Sequence, residues 1–126
     1  MAITTNAICN SFKKELLEAT HNFKTSGGGG NTFKLAMYTN SATLGKSTTS
    51  FTTGNEVSSS GYSSGGKALV NTGTSIATNT AITDFSDLSF TGVTLTARGA
   101  LIYNDTASGD PAVAVLDFGG EKTASN

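Results

Sequence analysis

Apolar residues near the N-terminus recur at spacings of three and four, the period of one face of an α-helix. This stripe consists of Ile8, Phe12, Leu16, Ala19 and Phe23. The pattern predicts one amphipathic helix over residues 5–23, with Thr5 or Asn6 available as its N-cap. A run of glycines at positions 27–30 ends the helical pattern and predicts a flexible connector, or a backbone that must pass close to another group.

After residue 30 the apolar period changes to two, which is typical of short, half-buried strands. Predicted strands lie at residues 32–39, 67–71, 75–80, 84–90, 93–97, 100–103 and 112–118, with a further short strand near Phe51. The segments 100–103 and 112–118 are almost wholly apolar, so we expect them to be buried central strands. Residues 40–66 predict a long Ser/Thr/Gly loop, and residues 72–73 predict a turn.

Strands joined by turns, with no helix between them, indicate an antiparallel arrangement. The predicted fold is therefore a mainly β, antiparallel β-sandwich or jelly-roll-like domain that carries one N-terminal amphipathic α-helix. We divide the chain into an N-terminal arm, helix and Gly-rich connector over residues 1–30 and a β-sandwich domain over residues 31–126.

Composition narrows the possible functions. The chain has 126 residues, of which 13% are charged, and its net charge is −1, so it lacks the basic surface of a sequence-independent nucleic-acid binder. The 37% of apolar residues favours a folded domain over a disordered chain. There is no apolar run long enough for a membrane-spanning helix, and Lys13 and Lys14 interrupt the first apolar stretch, so no signal peptide is expected. Cys9 is the single cysteine and makes no internal disulfide.

Two motifs invite a catalytic interpretation. Residues 61–65 read GYSSG, which matches the G-x-S-x-G pattern of a nucleophile elbow around Ser63. That motif requires a strand-turn-helix context, whereas this stretch lies in the predicted loop, so a turn is favoured. His21 is the only histidine and therefore the only candidate base, but its position near a helix C-terminus favours a capping or dipole role.

Metal and thiol chemistry are also disfavoured. Cys9 lies on the apolar side of the predicted helix, where packing is the expected role. The four acidic residues of the β-region most open to a functional interpretation are Asp84, Asp87, Asp105 and Asp110, for which turn-stabilising hydrogen bonds are favoured over a loose calcium site. We predict no catalytic residue, no metal site and no cofactor. Arg98, the sole arginine, must pair with Asp87 or Asp117 or face a partner protein.

Several blocks of sequence occur together in a specific order. They are AICNSFK at 7–13, FKLAMY at 33–38, NEV at 55–57, GY at 61–62, GG at 65–66, TDFSD at 83–87, ARGALIYN at 97–104 and AVAVLDFG at 112–119. In these blocks the chain resembles a family of small virion structural proteins of tailed bacteriophages. The resemblance implies a component of the virus particle, assembled in the host cytoplasm, whose partners are other virion proteins such as major capsid or tail proteins. It also implies one further apolar strand after the KTASN segment at 122–126.

The residues and the resemblance lead to one expectation: a non-enzymatic virion protein that decorates or cements the capsid through repeated contacts, as a homo-oligomer. A tail or fibre component that contacts the host surface is the alternative. That alternative allows glycan binding through tyrosines, with Tyr38, Tyr62 and Tyr103 as candidates. We expect no membrane insertion. The predicted interface residues are Ile8, Phe12, Leu16, Phe23 and Arg98.

Overall fold

A computed structural model describes residues 3–126 of the chain. Its elements are β1 (Ala7–Ile8), α1 (Asn10–Leu17), a short 3-10 helix (Ser26–Gly28), β2 (Phe33–Tyr38), β3 (Lys67–Ala68), β4 (Asn71–Ala77), β5 (Thr80–Phe85), β6 (Leu95–Asn104) and β7 (Ala112–Ala124). The strands pair antiparallel throughout. The predicted class, mainly β and antiparallel with one helix near the N-terminus, is confirmed.

The main sheet has five strands in the order β1-β7-β6-β2-β3. Its centre is formed by β6 and β7, which contain the two apolar segments predicted to be buried, and Leu101 and Val115 are almost fully excluded from solvent. The predicted strand at 100–103 and residues 95–97 of the predicted strand at 93–97 belong to one strand, β6, which continues through a register shift between Ala97 and Gly99. β4 and β5 form a separate two-stranded sheet.

The N-terminal helix is shorter than the predicted segment 5–23. Ala7–Ile8 form β1 and pair with β7, so the chain enters the helix from an extended strand. The helix ends early because Ala19 adopts a left-handed conformation at φ 61°, and Thr20 N–H and Ala19 N–H donate to the carbonyls of Glu15 and Leu16. This pattern is a Schellman motif with alanine at the position that usually holds glycine.

The alanine in this motif leads to a stability prediction. Ala19→Gly is expected to stabilise the protein by about 1 kcal/mol, because glycine adopts a positive φ without the steric cost that a Cβ brings. Lys13→Gly, an exposed substitution inside the same helix, is the control and is expected to destabilise by about 1 kcal/mol. Urea denaturation of the two variants measures both values, and a destabilised Ala19→Gly variant would contradict this account of the helix end.

The turn in the β4–β5 sheet lies elsewhere than predicted. The expected turn at 72–73 is inside β4, and the expected strand at 75–80 crosses the real turn at Thr78–Asn79. Thr78 takes φ 56°, a conformation that turn sequences usually assign to glycine or asparagine. The turn therefore carries no ordinary sequence signal.

Two further predicted strands are shorter than expected. The predicted strand at 84–90 is only the end of β5 followed by irregular chain. The strand predicted near Phe51 is reduced to an isolated bridge between Ser50 and Pro111.

The apolar core consists of two clusters on the main sheet. The larger cluster joins Ile3 and Phe12 of the N-terminal segment to Phe33 and Tyr103 of the sheet. Residues 3–30 therefore share one core with the β-region that follows the predicted boundary at residue 30. Among residues 3–126, no helix has the length and apolar content needed to span a bilayer.

Candidate functional site

His21 lies in the core within a polar network. Its side chain is completely buried, with Nε2 2.9 Å from Glu15 Oε1 and Nδ1 3.0 Å from Asn104 Nδ2. Asn104 Oδ1 accepts hydrogen bonds from the N–H groups of Thr106 and Ala107, so the Asn104 amide nitrogen must be the donor to His21 Nδ1. The ring hydrogen of His21 therefore lies on Nε2, which donates a hydrogen bond to Glu15 Oε1. The histidine packs and hydrogen-bonds in the core through two side chains, so the expected capping of helix-end carbonyls is wrong, and the dipole role stays a prediction.

The G-x-S-x-G segment is a loop fastened to a buried carboxylate. Glu56 accepts hydrogen bonds from Tyr62 Oη (2.7 Å), Ser64 Oγ (2.8 Å) and Gly65 N–H (2.7 Å). The segment leads into the strand β3, so the helix that a nucleophile elbow needs does not follow Ser63. The role of this segment is to close the loop over the end of β2, as the turn interpretation predicted.

The three tyrosines proposed for sugar stacking are buried. Tyr38 donates to the carbonyl of Thr52 (2.7 Å), Tyr103 donates to the carbonyl of Gly65 (2.6 Å), and Tyr62 donates to Glu56. Burial raises the pKa of all three hydroxyls above the ordinary tyrosine value. None of these rings presents a face to a ligand, so the glycan-binding expectation loses the residues on which it depended.

Arg98 pairs with Asp117 within the chain, one of the two partners expected from the sequence. The Asp117 carboxylate also accepts the backbone N–H of Gly119 at 2.8 Å. The hydrogen bond from Arg98 is the main cause that lowers the pKa of Asp117 below its usual value, and the Gly119 N–H adds to it. The predicted role of Arg98 at an interface stays a prediction, but its charge is already neutralised inside the protein.

The Arg98–Asp117 pair makes stability depend on pH in acid. Because the folded-state pKa of Asp117 lies below its unfolded value of about 4, this carboxylate stabilises the fold above that pH, and the contribution is lost as pH falls through the folded pKa. In Arg98→Met we expect the pKa of Asp117 to return towards the ordinary aspartate value, and the stability gap to wild type to narrow below about pH 4. An NMR titration of the Asp117 carboxyl in both proteins measures the shift, and equal pKa values would refute this cause.

Three of the remaining chemical candidates, Cys9, Asp84 and Asp105, make contacts within the fold. Cys9 is fully buried, and burial together with the nearby charge of Glu15 raises the pKa of its thiol to about 11, so the thiolate is scarce at neutral pH. Asp84 Oδ1 accepts the N–H of Phe85 at 2.8 Å, and Asp105 forms an ion pair with Lys34 at 3.3 Å. In the described part of the chain, no group of three or more His, Cys, Asp or Glu side chains is placed to hold a metal ion.

The predicted interface residues divide into two groups. Phe12 is buried and Phe23 is half-buried against the chain's own core, where their rings meet edge-to-face at 5.9 Å between centroids. Most of their surface is used within the fold, and their role at an interface stays a prediction. Ile8 and Leu16 are about half exposed, and their role at an interface remains a prediction. Leu17 is 91% exposed, although it lies outside the predicted stripe.

The most unusual surface is the two-stranded sheet, which we call the β-arm and define as residues 71–85. Every residue from 74 to 84 is exposed, and no charged residue occurs from Asn71 to Thr83. Ile76 is 78% exposed and Ile82 is 41% exposed. Their cross-strand partners are Ala81 and Ser75, so the two isoleucines lie on opposite faces of the arm.

The base of the β-arm is fixed firmly to the core. The buried Asn71 side chain donates to the carbonyls of Lys24 (3.0 Å) and Asn31 (3.1 Å). The Phe85 ring packs against those of Phe23 and Phe33, at centroid distances of 6.3 and 5.9 Å. The arm is therefore a projecting but anchored element. Sequence reasoning missed it, although β-branched residues on both sides of Thr78–Asn79 carry its signal.

Comparison with known proteins gives no relative: no family model, no curated protein and no solved structure matches the chain.

Proposed function

We propose that this protein is a non-enzymatic structural component of a tailed-bacteriophage virion, which decorates or cements the capsid through repeated contacts with neighbouring proteins. The observation that carries the proposal is the β-arm, which is exposed from residue 74 to residue 84 and uncharged from Asn71 to Thr83. The sequence resemblance to small virion proteins supplies the biological setting. The predicted partners are major capsid proteins and further copies of this chain.

The strand edges of the β-arm lack the usual protection. A two-stranded ribbon in water is at best marginally stable, and monomeric proteins usually protect exposed strand edges with charges, proline or covering segments. From Asn71 to Thr83 the arm carries neither charge nor proline, and in the described part of the chain each of its strands pairs only with the other. Such an element is stabilised when a neighbouring protein covers it, which is the situation inside a particle.

A second exposed surface lies at the N-terminal segment. Three apolar side chains are exposed there, those of Ile8, Leu16 and Leu17. Their elements are fixed to the core, because β1 pairs with β7 and Phe12 of the helix packs in the core cluster. Two separate contact surfaces allow a protein to touch more than one neighbour at once. Weak contacts of this kind add up when copies are held side by side.

Quantitative mass spectrometry of purified particles tests the proposal. Capsid decoration predicts hundreds of copies per particle, whereas a few to tens of copies would favour the alternative, a tail or fibre component. Because the arm contact is uncharged, we also expect the protein to remain bound in about 1 M salt, where surface ion pairs are screened. Particles that lack the protein altogether would overturn the proposal.

A further inference from the structure

We propose that the β-arms of two copies of this chain pair edge to edge through β5, around a two-fold axis at Ile82, to give a four-stranded antiparallel sheet. This inference rests on the proposed function, because a particle supplies the high local concentration that the contact needs.

The backbone of β5 decides which groups are free. The two-residue turn Thr78–Asn79 makes Ala77 and Thr80 the hydrogen-bonded pair that closes the hairpin. Antiparallel pairs alternate, so Ile82 directs its N–H and C=O towards β4, whereas Ala81 and Thr83 direct theirs outward. The outer edge of β5 therefore offers backbone donors and acceptors at Ala81 and Thr83.

The ends of the free edge fix the register. The N–H of Phe85 is occupied by Asp84 Oδ1, and the turn ends before Thr80, so the free edge runs from Thr80 to Asp84 and its centre is Ile82. A two-fold axis there pairs Ala81 with Thr83 of the second copy, and both residues have outward-facing backbone groups. Ile82 meets its own counterpart in a non-hydrogen-bonded pair, with a Cα separation of about 4.5 Å.

This register is also favourable for charge. Asp84 lies opposite Thr80 of the second copy, and the two Asp84 residues are about 13 Å apart along the strands at 3.3 Å per residue. That separation exceeds the Debye length of about 8 Å at physiological salt, so their repulsion is screened. No other charged residue lies on the paired strands.

The outer edge of β4 is less suitable. At its N-terminal end β4 has a register shift between Asn71 and Gly73. The N–H of Asn71 donates a hydrogen bond to Ser26 Oγ at 3.1 Å, so it is not free for a further strand. The Thr25 methyl group also lies against Gly73. A strand added along β4 would meet the 3-10 helix, whereas no described element covers β5.

A second copy fits this edge better than an unrelated protein. Asp84 at its end is the only charge on this edge, and residues 80–83 are uncharged, so the edge offers little through which a charge-complementary partner could be selected. It is self-complementary under a two-fold operation, which is the symmetry of an isologous contact. The contact is small compared with the roughly 1,000 Å² of a stand-alone interface, so we expect it to form chiefly between copies held together on a particle.

Disulfide trapping with single cysteines tests the register. Ile82→Cys is expected to form a disulfide-linked dimer under mild oxidation on purified particles, because the two thiols face each other across the axis. Ile76→Cys, on the other strand and opposite face, is the matched control and should give at least tenfold less dimer. The wild-type chain serves as a blank, since Cys9 is buried. Adding Ala81→Pro removes one outward N–H and should reduce the Ile82→Cys dimer at least tenfold.

The outcomes separate this inference from the proposed function. An Ile82→Cys dimer that exceeds the Ile76→Cys control and is lost with Ala81→Pro supports the pairing. Equal trapping of both cysteines, or no Ile82→Cys dimer in a variant that keeps the wild-type melting temperature and copy number on particles, overturns the pairing and leaves the virion role intact. Absence of the wild-type protein from particles overturns the proposed function itself.

Discussion

Asn104→Ala is expected to lower the free energy of unfolding by about 3–5 kcal/mol, a larger loss than most point substitutions cause. Asn104 is fully buried and uses both ends of its side chain. Its Oδ1 accepts two backbone N–H groups, from Thr106 and Ala107, and its Nδ2 donates to His21 Nδ1 and to Asn31 Oδ1. Alanine leaves His21 Nδ1 without its donor in the core and removes the acceptor of the Thr106 and Ala107 N–H groups, whereas Asn31 Oδ1 keeps the N–H of Asn22.

Urea denaturation followed by circular dichroism measures this loss. Asn40→Ala, at an exposed asparagine, is the matched control and should change stability by less than about 0.5 kcal/mol. Asn104→Asp discriminates further, since it keeps the acceptor for Thr106 and Ala107 but replaces the donor that faces His21. We expect its loss to lie between those of the other two variants, and a loss below about 1 kcal/mol for Asn104→Ala would contradict the network.

Replacing Glu56 is expected to have the second-largest effect, and the size should depend on the replacement. Glu56→Ala leaves the hydroxyl of Tyr62 and the N–H of Gly65 without their acceptor, and we expect a loss of about 3–4 kcal/mol. Glu56→Gln keeps one oxygen for these two donors and offers its amide to Ser64, so the loss should be about 1–2 kcal/mol.

The ranking of the two Glu56 variants is the informative result. Thermal unfolding of both variants and of Glu121→Ala, at an exposed glutamate, provides the comparison. Equal losses for Gln and Ala would mean that the negative charge matters more than the hydrogen bonds. No loss in either variant would show that the loop over β2 holds without this carboxylate.

Local sequence patterns predicted the centre of the fold well. The apolar segments that became β6 and β7 are long enough, and apolar enough, for burial alone to decide their state. The N-terminal helix was predicted with the right type but the wrong length. A stripe at spacings of three and four does not show that Ala7–Ile8 pair with β7, which lies more than a hundred positions away.

The sites that sequence reasoning missed depend on distant contacts. His21 and Asn104 are 83 positions apart, so the network that fixes the histidine is invisible to any local pattern. The glycan-binding alternative requires three exposed tyrosines, yet each hydroxyl finds a partner across the fold. The β-arm was missed for another reason, since its turn contains Thr78 at a positive φ and no glycine.

A cryo-electron microscopy map of the intact particle tests the proposed role most directly. We expect this chain at many symmetry-related positions on the capsid, with each β-arm covered by a neighbouring molecule. A map in which every protein of the shell and tail is assigned and this chain is absent, or in which the β-arm projects freely into solvent, would contradict that role.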